Sequence, residues 1–97
     1  MTFNEQLNEY ISALACSAKE LAEASGLSES VISRYRSGIR VPEAGSVQLE
    51  GLVSGICLLA EKKHVAELTK DSVRNKLLQA LNDQAFPFAI QRHAFGK

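Results

Sequence analysis

The sequence predicts an all-α fold: a compact bundle of about five helices, with two short helices joined by a tight turn at its centre. Three observations carry this. Apolar residues recur at three- and four-residue intervals, and no stretch alternates with the period of two that a half-buried strand requires. Thr2–Glu5 and Ser17–Glu20 both have capping-box spacing, in which hydroxyl and carboxylate satisfy each other's backbone amides. Gly26 and Gly38 stand just past periodic segments, where a left-handed residue ends a helix at little cost.

The first helix is expected from Phe3 to about Ala15. Phe3, Leu7, Tyr10, Ile11 and Leu14 give it one apolar face. Ser17 opens the second, on which Ala18, Leu21, Ala22 and Ser25 share a face while Lys19, Glu20 and Glu23 point away. After Gly26, Leu27 plugs the corner and Ser28 caps a third helix that begins with Glu29 and Ser30. Ile32 and Tyr35 form its apolar back; Ser30, Ser33, Arg34 and Ser37 form its polar front. Gly38 ends it, and Pro42 opposes an early restart. Ala22 is read as the small residue that lets the two helices cross at a steep angle.

A helix with an apolar back, a small polar front and one central arginine is built to lie against a partner. Together these two helices form the helix-turn-helix pattern. Leu21-Ala22-Glu23, Gly26-Leu27-Ser28, Val31-Ile32-Ser33-Arg34-Tyr35, and Ser37-Gly38 followed by Arg40 and Pro42 resemble the phage lambda repressor/Cro-like family, in its bacterial xenobiotic-response-element regulator form. The resemblance is close from Ser17 to Pro42 and loose around it. It implies a transcriptional regulator, a repressor, that binds double-stranded DNA. One position departs: Arg36 stands where relatives often carry an acid, so a salt bridge from that acid is not carried over. Arg36 itself reads as a solvated or ion-paired surface residue.

The polar front suits a DNA major groove, which admits a helix and exposes base edges. Base contacts are expected from Glu29, Ser30, Ser33 and Arg34. Arg34 can donate two parallel hydrogen bonds to guanine O6 and N7. Glu29 can accept from a cytosine amino group or hold Arg34 in place, although an acid in a first helical turn is favoured anyway. Ser30 and Ser33 allow close approach, and Val31 can touch a thymine methyl. Phosphate contacts are expected from Ser17, Ser28, Ser37 and Arg40, with the amides behind Ser17 offering the anion site of a helix N-terminus.

The chain has 97 residues, with 11 Lys and Arg against 11 Asp and Glu. Zero net charge removes any global field steering the chain to DNA. The local distribution is different, since Arg34, Arg36 and Arg40 cluster with no acid between Ser30 and Pro42. Cys16 and Cys57 match no paired spacing and are expected as reduced, largely buried thiols in a cytoplasmic protein. His64 and His93 are lone histidines, and no CxxC or HxxxH pair suggests a metal. Paired carboxylates, a Ser/His/Asp set and a Gly-rich phosphate loop are all missing, so neither an enzyme nor a cofactor is expected. The first residues carry no basic start or apolar core, and no apolar run reaches membrane-spanning length.

A longer helix is expected from Val47 to Lys63, with Leu49, Leu52, Val53, Ile56 and Leu59 as its stripe. Gly51 and Gly55 each cost it about 1 kcal/mol against alanine. Either another helix approaches them closely or the helix tolerates the weakness. Thr69 opens a last helix that Asn82-Asp83 is expected to end, with Val73, Leu77, Leu78 and Leu81 as its stripe. Residues 1–81 are therefore read as the helix-turn-helix DNA-binding domain. Residues 82–97 are read as a C-terminal tail, an extra helix or association segment holding Phe86, Phe88 and Phe95. The later apolar stripe and these phenylalanines exceed what one small core needs, which suggests a homodimer on a pseudo-palindromic site. The alternatives are a tail that completes the monomer core, and a protein-interaction module that uses the same helices without DNA.

Overall fold

The computed structural model describes the backbone of residues 1–65 and 67–95 and the side chains of residues 1–65 and 67–83. Five helices follow one another: α1 (Phe3–Leu14), α2 (Ala18–Ser25), α3 (Glu29–Ser37), α4 (Val47–Lys62) and α5 (Lys70–Phe95). No strand occurs among the described residues, and the fold is an all-α bundle.

Local chemistry starts the helices where the spacing predicts. Thr2 and Ser17 both make complete capping boxes, with the Glu5 and Glu20 carboxylates accepting from the Thr2 and Ser17 amides at 2.8 and 3.1 Å. Ser28, Ser46 and Thr69 each accept one amide of the helix they precede, from Val31, Leu49 and Ser72. Gly26 and Gly38 take the left-handed conformation, at φ 77° and 84°. Asn82-Asp83 does not end α5, which continues through both to Phe95. The two residues disfavour helix by only tenths of a kcal/mol each, and no glycine stands directly after them to supply a left-handed stop. The expected boundary at residue 81 thus falls within one helix.

The core is formed by the apolar faces of all five helices. Phe3, Leu7, Leu21, Ile32, Leu49, Leu52, Val53, Ile56, Val73 and Leu77 are fully buried. Phe3 meets Tyr35 edge-on, with ring centroids 6.1 Å apart. Val73 and Leu77 are not surplus apolar surface, as the sequence suggests, because α5 lies on α1 and α4 and seals the core there. Leu81 is partly buried against the same cluster. The side chains of Phe86, Phe88 and Phe95 lie outside the described residues.

The most extensive helix pair is α2 on α4. A Cβ on Gly51 would lie 2.8 Å from the Ser25 carbonyl oxygen, and one on Gly55 would lie 2.8–2.9 Å from Ser25 N, Cα and Cβ. Close helix approach is therefore the reason for both glycines. Ion pairs fasten the outside. Arg74 grips the Glu50 carboxylate through Nε and Nη2, at 3.0 and 2.7 Å, joining α5 to α4. Lys63 Nζ donates to the Ala15 carbonyl at 3.3 Å and pairs with Glu20 at 3.4 Å, joining the end of α4 to the α1–α2 turn.

Among the described residues, α3 packs on α1 and α2 and on neither α4 nor α5. It is an edge element, held from behind through Ile32 and Tyr35. That position leaves its other side open. No helix among the described residues is long and apolar enough to cross a membrane.

Candidate nucleic-acid interface

The open side of α3 carries the predicted set. Glu29, Ser30, Ser33, Arg34 and Ser37 are exposed, while Ile32 and Tyr35 are buried. Positions 30, 33, 34 and 37 follow helical spacing and so share one face. Fixing the back of α3 in the core fixes the direction of this front. Val31 is partly buried against the core, so less of it is available to a methyl group outside.

Arg34 makes no ion pair and no side-chain hydrogen bond among the described residues. Its guanidinium is a free, planar donor at the centre of the exposed face. Glu29 does not hold it, since no ion pair joins the two. Five residues apart on a helix, they point in divergent directions. Glu29 stands alone at the exposed start of α3, where its charge also suits the helix N-terminus.

The expected phosphate contacts fall into two kinds. Ser17 and Ser28 accept backbone amides through Oγ, which leaves their hydroxyl protons to donate outward. Behind Ser17, the Ala18 and Lys19 amides have no partner among the described residues, while the next two are bonded to Ser17. An anion at the start of α2 therefore meets two open N–H groups. Ser37 differs. Its hydroxyl donates inward to the Arg34 carbonyl at 3.1 Å, so its proton is already committed. Arg40 is exposed and makes no ion pair among the described residues; burial pushes the Tyr35 phenol up, and the Arg40 charge opposes this.

Two features of the site lie outside the expected set. Arg36 has no ion pair among the described residues and is not simply solvated: its Nε donates to Asn8 Oδ1 at 2.9 Å, and Asn8 Nδ2 donates to the Arg36 carbonyl at 3.0 Å. These bonds fasten the last turn of α3 to α1. Lys19, exposed at the start of α2, adds positive charge beside the open amides. Its signal was a cation in a first helical turn, where an acid is the favoured residue.

The electrostatics are uneven. Glu5, Glu20 and Glu50 all titrate below the usual glutamate range. The causes are the Thr2 amide for Glu5, the Ser17 amide and then Lys63 for Glu20, and the Arg74 guanidinium for Glu50. These three carboxylates are thus bonded within the fold. Around α3, by contrast, Arg34, Arg36 and Arg40 have no acidic partner among the described residues. Zero net charge conceals this separation.

Both cysteines are free thiols and, where largely buried thiols are expected, only partly buried. Burial pushes both thiols upward; at Cys16 the nearby Glu20 adds to this, while Lys63 and Arg36 oppose it. Among the described residues no three His, Cys, Asp or Glu side chains gather in a way that could hold a metal. Comparison with protein-family models, with curated proteins and with solved structures finds no match for this chain.

Proposed function

We propose that the chain binds double-stranded DNA sequence-specifically and acts as a transcriptional regulator, a repressor, with α3 in the major groove. One observation carries this reading: α3 is an edge helix whose buried back sets its direction and whose exposed front holds Ser30, Ser33 and an unpaired Arg34. The start of α2 and the exposed Arg40 supply donors suited to phosphate. The resemblance of Ser17–Pro42 to the lambda repressor/Cro-like pattern supports the same placement.

One such helix reads too few base pairs to select a site from a genome. A homodimer on a pseudo-palindrome, with its two α3 helices about one DNA turn apart, meets that need. Burial of Val73 and Leu77 removes them from its interface. Sedimentation of the free chain and of its DNA complex tests this part. A monomer in both, on a site without an inverted repeat, removes the dimer.

Enrichment from a random duplex pool tests the DNA reading directly. The expected result is a defined site containing guanine, bound with affinity that falls steeply as salt rises. No enrichment, or binding indifferent to salt, would overturn it. A second reading, a protein-interaction module, is favoured by Ile39 and Val47, which are 82% and 83% exposed beside the α3–α4 connection. That reading predicts loss of partner binding on Ile39→Ser with DNA binding unchanged.

A further inference from the structure

The bonds between Asn8 and Arg36 leave the arginine in an unusual position for a surface cation. Asn8 is a neutral amide, so it orients the guanidinium without cancelling its charge. Only Nε is used. Both Nη groups are without a hydrogen bond or ion pair among the described residues. A guanidinium tied at Nε, with both Nη groups open, is a two-pronged donor in a set plane, the geometry that suits a phosphate.

Its neighbourhood is equally specific. Asn8 belongs to α1, on which α3 rests. The α1 helix leads into the α1–α2 turn, which holds Cys16. The next residue, Ser17, caps α2, behind which the Ala18 and Lys19 amides are open. Two sets of anion donors, an oriented guanidinium and a helix N-terminus, are therefore tied to α1 and to the turn that follows it.

We propose that Arg36 is a further phosphate contact of this interface, positioned by Asn8, and that it grips the strand held by the start of α2 while Arg34 reads bases. This rests on the DNA-binding reading and adds to it a residue that the sequence assigns to solvent or to an ion pair. Arg36 touches the ligand. Asn8 is a positioning residue that acts through it.

The test uses the full chain with two probes, the duplex enriched by the wild-type protein and an unrelated duplex of equal length. Affinity is measured across a salt series, and folding is followed by thermal melting. Arg36→Gln is expected to weaken both duplexes by a similar factor, on the order of tenfold, and to flatten the log–log salt slope by about 0.9. Asn8→Asp is the sharper variant. It keeps an acceptor for Arg36 Nε but supplies a charge that neutralises it. It gives up the Nδ2 donor to the Arg36 carbonyl, so its melting temperature is expected to fall slightly, while its salt slope flattens as in Arg36→Gln. Should Arg36→Gln fail to fold, Asn8→Asp decides alone. A wild-type slope in the folded variants would overturn the proposal, as would a loss confined to the enriched duplex. If the wild-type chain binds neither duplex in a salt-dependent way, the DNA-binding reading fails first and takes this one with it.

Discussion

A Cβ placed on Gly55 would sit 2.8 Å from the Ser25 backbone nitrogen and 2.9 Å from its Cα. The α4 helix therefore meets α2 at a point where even a methyl group has no room. Gly51 repeats the arrangement one turn earlier, against the Ser25 carbonyl.

This reverses the usual effect of Gly→Ala in a helix. On an exposed helix the exchange gains about 1 kcal/mol. Gly55→Ala is expected instead to destabilise, with an overpacking cost of about 1–3 kcal/mol that exceeds the gain. The obstruction is backbone, which cannot rotate aside as a side-chain tip could. Urea denaturation of the variant measures the sign. A rise in stability would mean that α2 shifts away freely.

What the sequence made legible follows from distance along the chain. The Thr2–Glu5 and Ser17–Glu20 boxes, the Gly26 and Gly38 stops and the buried faces are set within a few residues, and all could be read. The end of α5 could not, since Asn82 and Asp83 weaken a helix without terminating it. The links from Asn8 to Arg36, from Gly55 to Ser25 and from Glu50 to Arg74 join different helices. No local spacing encodes them. The candidate interface divides in the same way: the face of α3 is periodic and was visible, while the orientation of Arg36 depends on α1.

Tyr10 offers a second stability test. Its side chain is buried, and its hydroxyl has no hydrogen-bond partner among the described residues. Burial also holds its phenol above the usual tyrosine range. A buried unsatisfied polar group costs about 1–3 kcal/mol, so removing it relieves that cost. Tyr10→Phe should leave stability unchanged or raise it by up to about 1 kcal/mol. A clear loss in chemical denaturation would reveal a partner for the hydroxyl.

Acid should weaken the fold through its bonded carboxylates. Glu5, Glu20 and Glu50 are lowered in the folded state, so the unfolded chain binds their protons first. Their contribution is present above the ordinary glutamate value of about 4.3 and is lost as pH falls from there through the lowered native values. Melting temperature should drop across that window. Glu50→Gln should flatten the drop, because its carboxylate no longer gains from Arg74. Superimposable pH profiles for the variant and wild type would remove Glu50 from this account.

Arg34→Ala separates site from fold. The side chain is exposed on α3 and makes no side-chain hydrogen bond or ion pair among the described residues, so nothing in the core depends on it. Melting should be unchanged. On the enriched duplex the variant should lose about 1–3 kcal/mol of binding free energy, the worth of a bidentate contact to guanine. Preference should relax at one base pair and persist at the others. This pattern differs from that of a phosphate contact, whose loss is uniform across sequences and flattens the salt slope. Repeating the enrichment with the variant distinguishes them. Wild-type affinity with an unaltered site would take Arg34 out of the interface. Uniform weakening would make it a phosphate contact and leave base reading to Glu29, Ser30 and Ser33, which can be tested in the same way.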